Sequence, residues 1–198
     1  MGEPRYASPV SVAVDISEFH RLTSDEYHLM IESGGFDEET HIELIDGILC
    51  DMSPKTPEHG LVVEYLNRVL AAALDHDRFR LRVTGSLSLG DSEPEPDLAI
   101  VARGTPDPYH PASAELVIEV AISSRRRDLA VKPPLYARAG VTEYWVIDVA
   151  QNAVVVHRAP GKDGYGSRVE LRPGEALDGG VVGVGELDVA SVLGAAAG

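Results

Sequence analysis

The chain has 198 residues, of which 44% are apolar and 25% are charged, as expected for one globular domain. Its 32 acidic and 17 basic side chains give a net charge of −15, which argues against a protein that coats nucleic acid electrostatically but does not exclude a local basic groove. The single cysteine, Cys50, excludes an internal disulfide and a zinc site of clustered cysteines. The sequence shows no secretion signal, and no apolar run approaches the roughly 18 residues that span a membrane, so we expect a cytoplasmic protein.

The chain begins with a segment that shows no hydrophobic periodicity. We therefore expect residues 1–16 to form a flexible N-terminal arm and residues 17–198 to form a single domain. Thr23 or Ser24 can cap a short helix, because both hydroxyls can accept a hydrogen bond from the first turn. Gly34-Gly35 can end that helix.

A β-hairpin and an amphipathic helix are predicted next. Two apolar stretches flank Asp46-Gly47, a pair typical of a two-residue hairpin turn. After two prolines, apolar residues recur at the spacing of one helix face: Leu61, Val62, Tyr65, Leu66, Val69, Leu70 and Leu74. Residues 79–102 then read as strands.

The second half of the chain alternates strands with helical segments. Residues 115–122 are nearly continuous in apolar side chains, as in a strand that is covered on both faces. A helical stretch over 123–140 and a second hairpin over 143–158 follow, and then a weak strand near 168–171 and a short strand and helix near 181–193. This order predicts a mixed α/β or α+β domain with a central sheet.

Glu119 interrupts the apolar strand over 115–122. Because alternate residues of a strand share a face, Glu119 lies in or beside the core with Val117 and Ala121. A buried carboxylate is costly unless it is hydrogen-bonded, paired with a cation or bound to a metal. Lys132, 13 residues further on, could supply that cation from the following helix. The strand alone leaves a structural ion pair and a metal site equally open.

Asp97 is a second candidate metal ligand. It follows Pro96 at the start of another apolar strand, so a cap for a turn is the alternative interpretation. If this strand neighbours that of Glu119, the two carboxylates converge. Two carboxylates, with carbonyl and water oxygens, form a hard site that suits Mg²⁺ or Mn²⁺.

Several motifs occur together in a recognisable order. They are Glu43-Leu44-Ile45-Asp46-Gly47, Met52-Ser53-Pro54 with His59, Pro96-Asp97-Leu98, Leu116-Val117-Ile118-Glu119-Val120, Asp128 with Lys132 and Tyr136, and Ala139-Gly140-Val141 through Glu143-Tyr144-Trp145-Val146-Ile147-Asp148. In this order the chain resembles the Uma-two family of restriction endonucleases, within the PD-(D/E)xK nuclease superfamily. The resemblance implies a restriction-endonuclease-like central mixed β-sheet flanked by helices, with additional β-hairpins.

The resemblance also implies a set of site residues. Asp97 would be the metal-binding aspartate, Glu119 the second acidic ligand and Glu43 an auxiliary ligand. Ala121 stands where the superfamily's usual lysine would follow the glutamate, and Lys132 is the residue that matches the family's displaced lysine. The alternatives are structural: Glu43 would form a cross-strand charge pair, and Lys132 would be a solvated residue of its helix.

Two prolines, Pro133 and Pro134, directly follow Lys132. Proline inside a helix removes a hydrogen bond and costs about 3 kcal/mol. The helix can instead begin there, with both prolines in its first turn, where their missing donors do no harm. The sequence leaves the direction of the Lys132 side chain open between these two cases.

A local basic patch follows the strand of Glu119. Arg125, Arg126 and Arg127 stand at the start of a predicted helix, where positive charge opposes the helix dipole, and this modestly favours contacts to phosphates over a solvated helix start. His59 could also donate to a phosphate, although starting or capping its helix is the alternative.

These observations support one leading hypothesis, a Mg²⁺- or Mn²⁺-dependent endonuclease that hydrolyses DNA with a metal-activated water, with Asp97, Glu119 and Lys132 as catalytic residues. By analogy with enzymes that cut two strands, we expect a homodimer. The alternative is a catalytically inactive nuclease fold that serves as a binding or regulatory module, its acidic surface directed at a protein partner.

Overall fold

A computed structural model describes residues 19–37, 39–107 and 109–198 of the chain. The predicted arm over residues 1–16 lies outside the described residues. In chain order the helices and strands are α1 (Ser24–Glu32), β1 (Ile42–Ile45), β2 (Ile48–Asp51), α2 (Pro57–Ala73), β3 (Phe79–Val83), β4 (Leu98–Ala102), β5 (Leu116–Ala121), α3 (Lys132–Arg138), β6 (Glu143–Asp148), β7 (Ala153–Gly161), β8 (Gly164–Leu171), β9 (Ala176–Asp178), β10 (Glu186–Asp188) and α4 (Val189–Gly194).

Six strands form the central sheet, in the order β3-β4-β5-β6-β7-β8. Only β5 and β6 are parallel, and they are joined by a crossover that contains α3. All the other neighbours in this sheet are antiparallel. The sheet is therefore mixed and carries helices and extra hairpins, which confirms the predicted fold class.

Both faces of the sheet are covered, as the apolar composition of β5 and β6 requires. On one face, Ile118 and Trp145 pack with α2, α4 and the C-terminal segment in a single apolar cluster. On the other face, Val117 and Ala121 pack with Tyr136 of α3 and Tyr144 of β6. Every residue of β5 is buried, so the carboxylate of Glu119 must be accommodated inside the protein.

The first hairpin forms around Asp46-Gly47, as predicted. Both residues have positive φ angles, 46° and 74°, which match the two left-handed positions of a type I′ turn. The hairpin is joined to the segment before β4 by an isolated antiparallel bridge between Leu44 and Glu93. Upstream, Thr23 caps α1 in a full capping box with Glu26.

The region over 79–102 is less regular than the sequence analysis expected. Only β3 and β4 are strands, and the intervening segment is largely irregular. Pro94 and Pro96 lack the N–H that a strand ladder requires, which explains why the segment joins the hairpin through a single bridge.

The two prolines after Lys132 lie at the start of α3. The segment Arg127–Val131 forms a π-helical turn, and α3 then begins at Lys132 with its prolines in the first turn. The prolines lie in the first turn of α3, as in the second of the two interpretations, but helical backbone precedes them without a break from Arg125. Within the described residues, no helix is both long and apolar enough to span a membrane.

Candidate active site

Asp97 is positioned by the pairing of β4 with β5. It directly precedes Leu98, which pairs with Ile118. Its Oδ2 accepts a hydrogen bond of 2.8 Å from the backbone N–H of Val120, the residue after Glu119. Its Oδ1 lies 2.9 Å from Nε2 of His59, on the first turn of α2. The carboxylate is 5% exposed and is therefore fixed in direction at the end of its strand.

Glu119 lies beside Asp97 on the neighbouring strand. Its Oε1 accepts hydrogen bonds from Nζ of Lys132 at 2.8 Å and from the hydroxyl of Tyr136 at 3.0 Å. Burial raises the pKa of the Glu119 carboxyl well above its ordinary value, Lys132 opposes this shift, and the nearby acidic groups reinforce it. Among the described residues none donates a hydrogen bond to Oε2, so this oxygen keeps its lone pairs for another partner.

Lys132 points towards the sheet and connects the acidic residues. In addition to Glu119, its Nζ lies 3.0 Å from Oε2 of Glu43 and 4.0 Å from Oδ1 of Asp128. Burial lowers the pKa of Lys132, but the carboxylates Glu119, Glu43 and Asp128 outweigh burial and raise it above its ordinary value. The amino group is therefore a cation throughout the neutral pH range.

Glu43 reaches the same place from β1. Its carboxylate is almost fully buried, and its Oε1 accepts a hydrogen bond of 3.0 Å from Nη1 of Arg127. Its Oε2 accepts a weaker bond of 3.3 Å from the N–H of Glu95. The early hairpin thus contributes a third carboxylate to the group formed by Asp97 and Glu119.

The three arginines of the basic patch have different surroundings. Arg125 is paired with Asp148 at 2.6 Å, and Arg127 with Glu43. Arg126 is exposed and forms no ion pair with any other residue that the structure describes. His59 does not cap its helix, because Thr56 is the cap, and its imidazole faces Asp97.

All the predicted metal ligands and Lys132 line one pocket of about 50 Å³. Its charged lining consists of five carboxylates and three cations: Glu43, Glu95, Asp97, Glu119 and Asp128, with Lys55, Arg127 and Lys132. The lining therefore has an excess of negative charge and several hard oxygen donors. These features fit a divalent cation such as Mg²⁺ or Mn²⁺, which prefers carboxylate and water oxygens.

Lys55 and Glu95 line the pocket although neither was predicted from the sequence. Asp128 and Tyr136, which the sequence presented only as part of a family motif, also reach Lys132 or Glu119. One signal for Glu95 was its position two residues before Asp97 in an extended segment, where alternate residues share a side. Asp128, Lys132 and Tyr136 are spaced by four residues, and this spacing brings them to one helical face. Lys55 carried no comparable signal, because it reaches the pocket from a loop.

Comparison with known proteins agrees with this architecture. The family model described as "Uma2: Putative restriction endonuclease" matches residues 19–190, and the chain belongs to this family. The fold is similar to the crystal structure of a "putative nuclease" from Anabaena variabilis ATCC 29413, with a TM-score of 0.73 and 15% sequence identity over 88% of this chain and 99% of that one. No functionally curated protein matches the chain.

Proposed function

We propose that this protein is a metal-dependent endonuclease that hydrolyses phosphodiester bonds in DNA. The observation that carries the proposal is the convergence of Asp97, Glu119, Glu43 and Lys132 in one pocket. Membership of a family described as restriction endonucleases supports the same class of reaction.

The residues have distinct roles in this proposal. Asp97 and Glu119 would hold Mg²⁺ or Mn²⁺, with Glu43 as a further ligand. When bound, the ion supplies positive charge at the attacked phosphate and lowers the pKa of a water molecule. The N–H of Val120 and the imidazole of His59 hold the Asp97 carboxylate in place.

Lys132 acts as a donor of hydrogen bonds and positive charge. Because its pKa is raised, it is not a general base at neutral pH. Its ammonium group would orient the attacking water or stabilise the negative charge that develops on the phosphate. In-line attack then breaks the P–O bond without a covalent enzyme intermediate.

Phosphates of the DNA would meet Arg125, Arg126, Arg127 and His59, of which Arg127 and His59 line the pocket. Arg126 is the first of these to test, because it is exposed, whereas Arg125 and Arg127 are held by carboxylates. A homodimer would bring two such sites to the two strands of a duplex.

Cleavage of plasmid and linear DNA with Mg²⁺ or Mn²⁺ tests the proposal. We expect Asp97→Asn and Glu119→Gln to lower the rate by at least about 100-fold, the scale of losing one group that stabilises the transition state. Asp163→Asn, which removes an exposed carboxylate in the β7–β8 turn, is the matched control and should cleave normally. Retained cleavage by the two site variants, shown to be folded by circular dichroism, would contradict the mechanism.

A catalytically inactive binding module is the second candidate, and the net charge of −15 favours it because DNA is also strongly negative. Calorimetric titration of Mg²⁺ separates the two candidates. A nuclease should bind the ion with an affinity that Asp97→Asn removes. A module without a metal site should show no difference between the two proteins, and its melting temperature should not respond to the ion.

A further inference from the structure

A second group of metal-ligating side chains lies outside the pocket around Asp97. It consists of His28 on α1, Glu93 in the segment before β4, and His110 in the loop that follows β4. One ligand atom from each residue lies within 4.8 Å of the other two. None of the three lines the pocket described above.

The geometry of the group is centred on the Glu93 carboxylate. Nε2 of His28 lies 2.8 and 2.9 Å from its two oxygens. Nε2 of His110 lies 3.9 Å from Oε2. Ligands bound at 2.0–2.2 Å around a tetrahedral zinc ion are separated by about 3.3–3.6 Å, so small side-chain movements suffice to admit the ion.

Surrounding contacts hold these side chains in place. The backbone of Glu93 exchanges two hydrogen bonds with Leu44, and its Oε1 accepts a bond of 3.3 Å from the Ser88 hydroxyl. The His28 ring stacks on Tyr109 with centroids 3.8 Å apart and planes inclined by 16°. Such outer contacts fix ligand orientation in established metal sites.

The group is not a surface cluster, because Glu93 is buried and both histidines are partly buried. Glu93 is 2% exposed, and among the described residues its charged or chargeable partners are these two histidines rather than a lysine or arginine. A buried carboxylate needs compensating positive charge. A metal ion and a protonated histidine are the two ways in which this site can supply it.

We propose that His28, Glu93 and His110 bind a divalent transition-metal ion of the zinc class. Two imidazole nitrogens and one carboxylate suit Zn²⁺ and do not suit Mg²⁺, which prefers oxygen. The ion would bind Nε2 of His28 in place of the present hydrogen bond to Glu93, with the ring in its neutral form and its proton on Nδ1. Three protein ligands leave one position for water.

The ion would fasten three separate parts of the chain together. It joins α1 and the loop after β4 to the segment that carries Glu93, two residues before Glu95 and four before Asp97. The role is structural, and it does not depend on the proposed nuclease activity.

Titration of Zn²⁺ into metal-stripped, tag-free protein tests the proposal in an Asp97→Asn background, which weakens binding at the other pocket. We expect about one equivalent to bind and the melting temperature to rise. Adding His28→Asn or His110→Asn should weaken binding by at least about 100-fold, because losing an outer partner alone costs 10- to 100-fold. His76→Asn, which removes an exposed histidine in the α2–β3 connection, is the matched control and should bind normally.

Equal Zn²⁺ affinity in the His28→Asn, His110→Asn and His76→Asn proteins would overturn the proposal. The group would then be an ion pair of His28 with Glu93 and no metal site. X-ray absorption at the zinc edge of the Asp97→Asn protein needs no further variant that could fail to fold. Two imidazole ligands support the site, and none overturns it. DNA cleavage is not used in either measurement, so failure here is distinct from failure of the nuclease proposal.

Discussion

Lys132 is the cation that buried carboxylates from three parts of the chain share. Its Nζ lies within 3.0 Å of Glu119 and Glu43 and 4.0 Å from Asp128. Removing one partner of a buried ion pair leaves the others uncompensated in a medium that solvates charge poorly. The lysine therefore has a structural consequence that is separate from any role in hydrolysis.

Lys132→Met should lower the free energy of unfolding by about 3 kcal/mol in the presence of a chelator. Added Mg²⁺ should restore part of this loss, because a divalent ion replaces the missing charge. Urea unfolding followed by the fluorescence of Trp145, the single tryptophan, measures both effects. Lys162→Met, at an exposed position in the β7–β8 turn, should change stability by less than about 0.5 kcal/mol. A loss of that small size for Lys132→Met would contradict the shared-cation interpretation.

His157 on β7 is a buried histidine outside the site. It is 5% exposed, its Nε2 has no hydrogen-bond partner among the described groups, and its ring stacks near Tyr144. Burial, aided by the charge of Arg168, lowers the pKa of His157 to about 4. The folded protein therefore contains the neutral imidazole at neutral pH.

The sign of the resulting pH dependence follows from this shift. The unfolded chain binds a proton at His157 near pH 6.5 and the folded chain only near pH 4, so stability falls as the pH decreases between these values. The contribution lost between pH 7.5 and pH 5 is about 2 kcal/mol. Urea unfolding at both pH values should show that His157→Gln, compared with the original protein, loses about that much less stability on acidification. Equal losses in the two proteins would contradict the assignment.

At the scale of elements, the β1–β2 hairpin determines where Glu43 lies. Its turn packs closely on the segment before α1, since a Cβ on Gly47 would lie 2.8 Å from the carbonyl oxygen of Leu22. Gly47 also has a φ of 74°, which side chains disfavour. Gly34, at the end of α1, has nearly the same φ but open space around it.

Alanine variants at these two glycines distinguish the cost of backbone strain from the cost of steric overlap. Gly34→Ala should cost about 1 kcal/mol from the left-handed conformation alone. Gly47→Ala should cost at least about 1 kcal/mol more, because the backbone contact must also move. Thermal or urea unfolding of both variants measures the difference, and equal losses would show that the turn tolerates a Cβ.

Elements defined by local chemistry were predictable from the sequence, and contacts between distant segments were less so. Asp46-Gly47 fixes its own hairpin, and the apolar run of β5 marks a covered strand, so both were found. The resemblance to a known family supplied Asp97, Glu119, Lys132 and Glu43 as a set. The approach of Lys55 depends on how a loop packs against the sheet, which no short-range pattern encodes.

At the scale of the whole molecule, the net charge of −15 opposes the approach of DNA. A divalent ion in the acidic pocket would reduce this repulsion where the phosphate must bind. We expect the affinity for a cleavage-resistant phosphorothioate duplex to rise at least about 10-fold on replacing chelator with Mg²⁺ at constant ionic strength. Fluorescence anisotropy should show this rise in Asp163→Asn and not in Asp97→Asn. The same rise in both variants would assign the effect to general screening.

The acidic centre takes its carboxylates from two structural units, the central sheet and the β1–β2 hairpin. Asp97 directly precedes β4 and Glu119 lies on β5, both within the six-stranded sheet, whereas Glu43 lies on the two-stranded hairpin, which is bonded to the segment before β4 through the Leu44–Glu93 bridge and the N–H of Gly47. Local opening is cheapest where few backbone hydrogen bonds must break. Opening of the hairpin would break the ion pairs of Glu43 with Arg127 and Lys132 and would remove this one carboxylate from the centre, with Asp97 and Glu119 left in place.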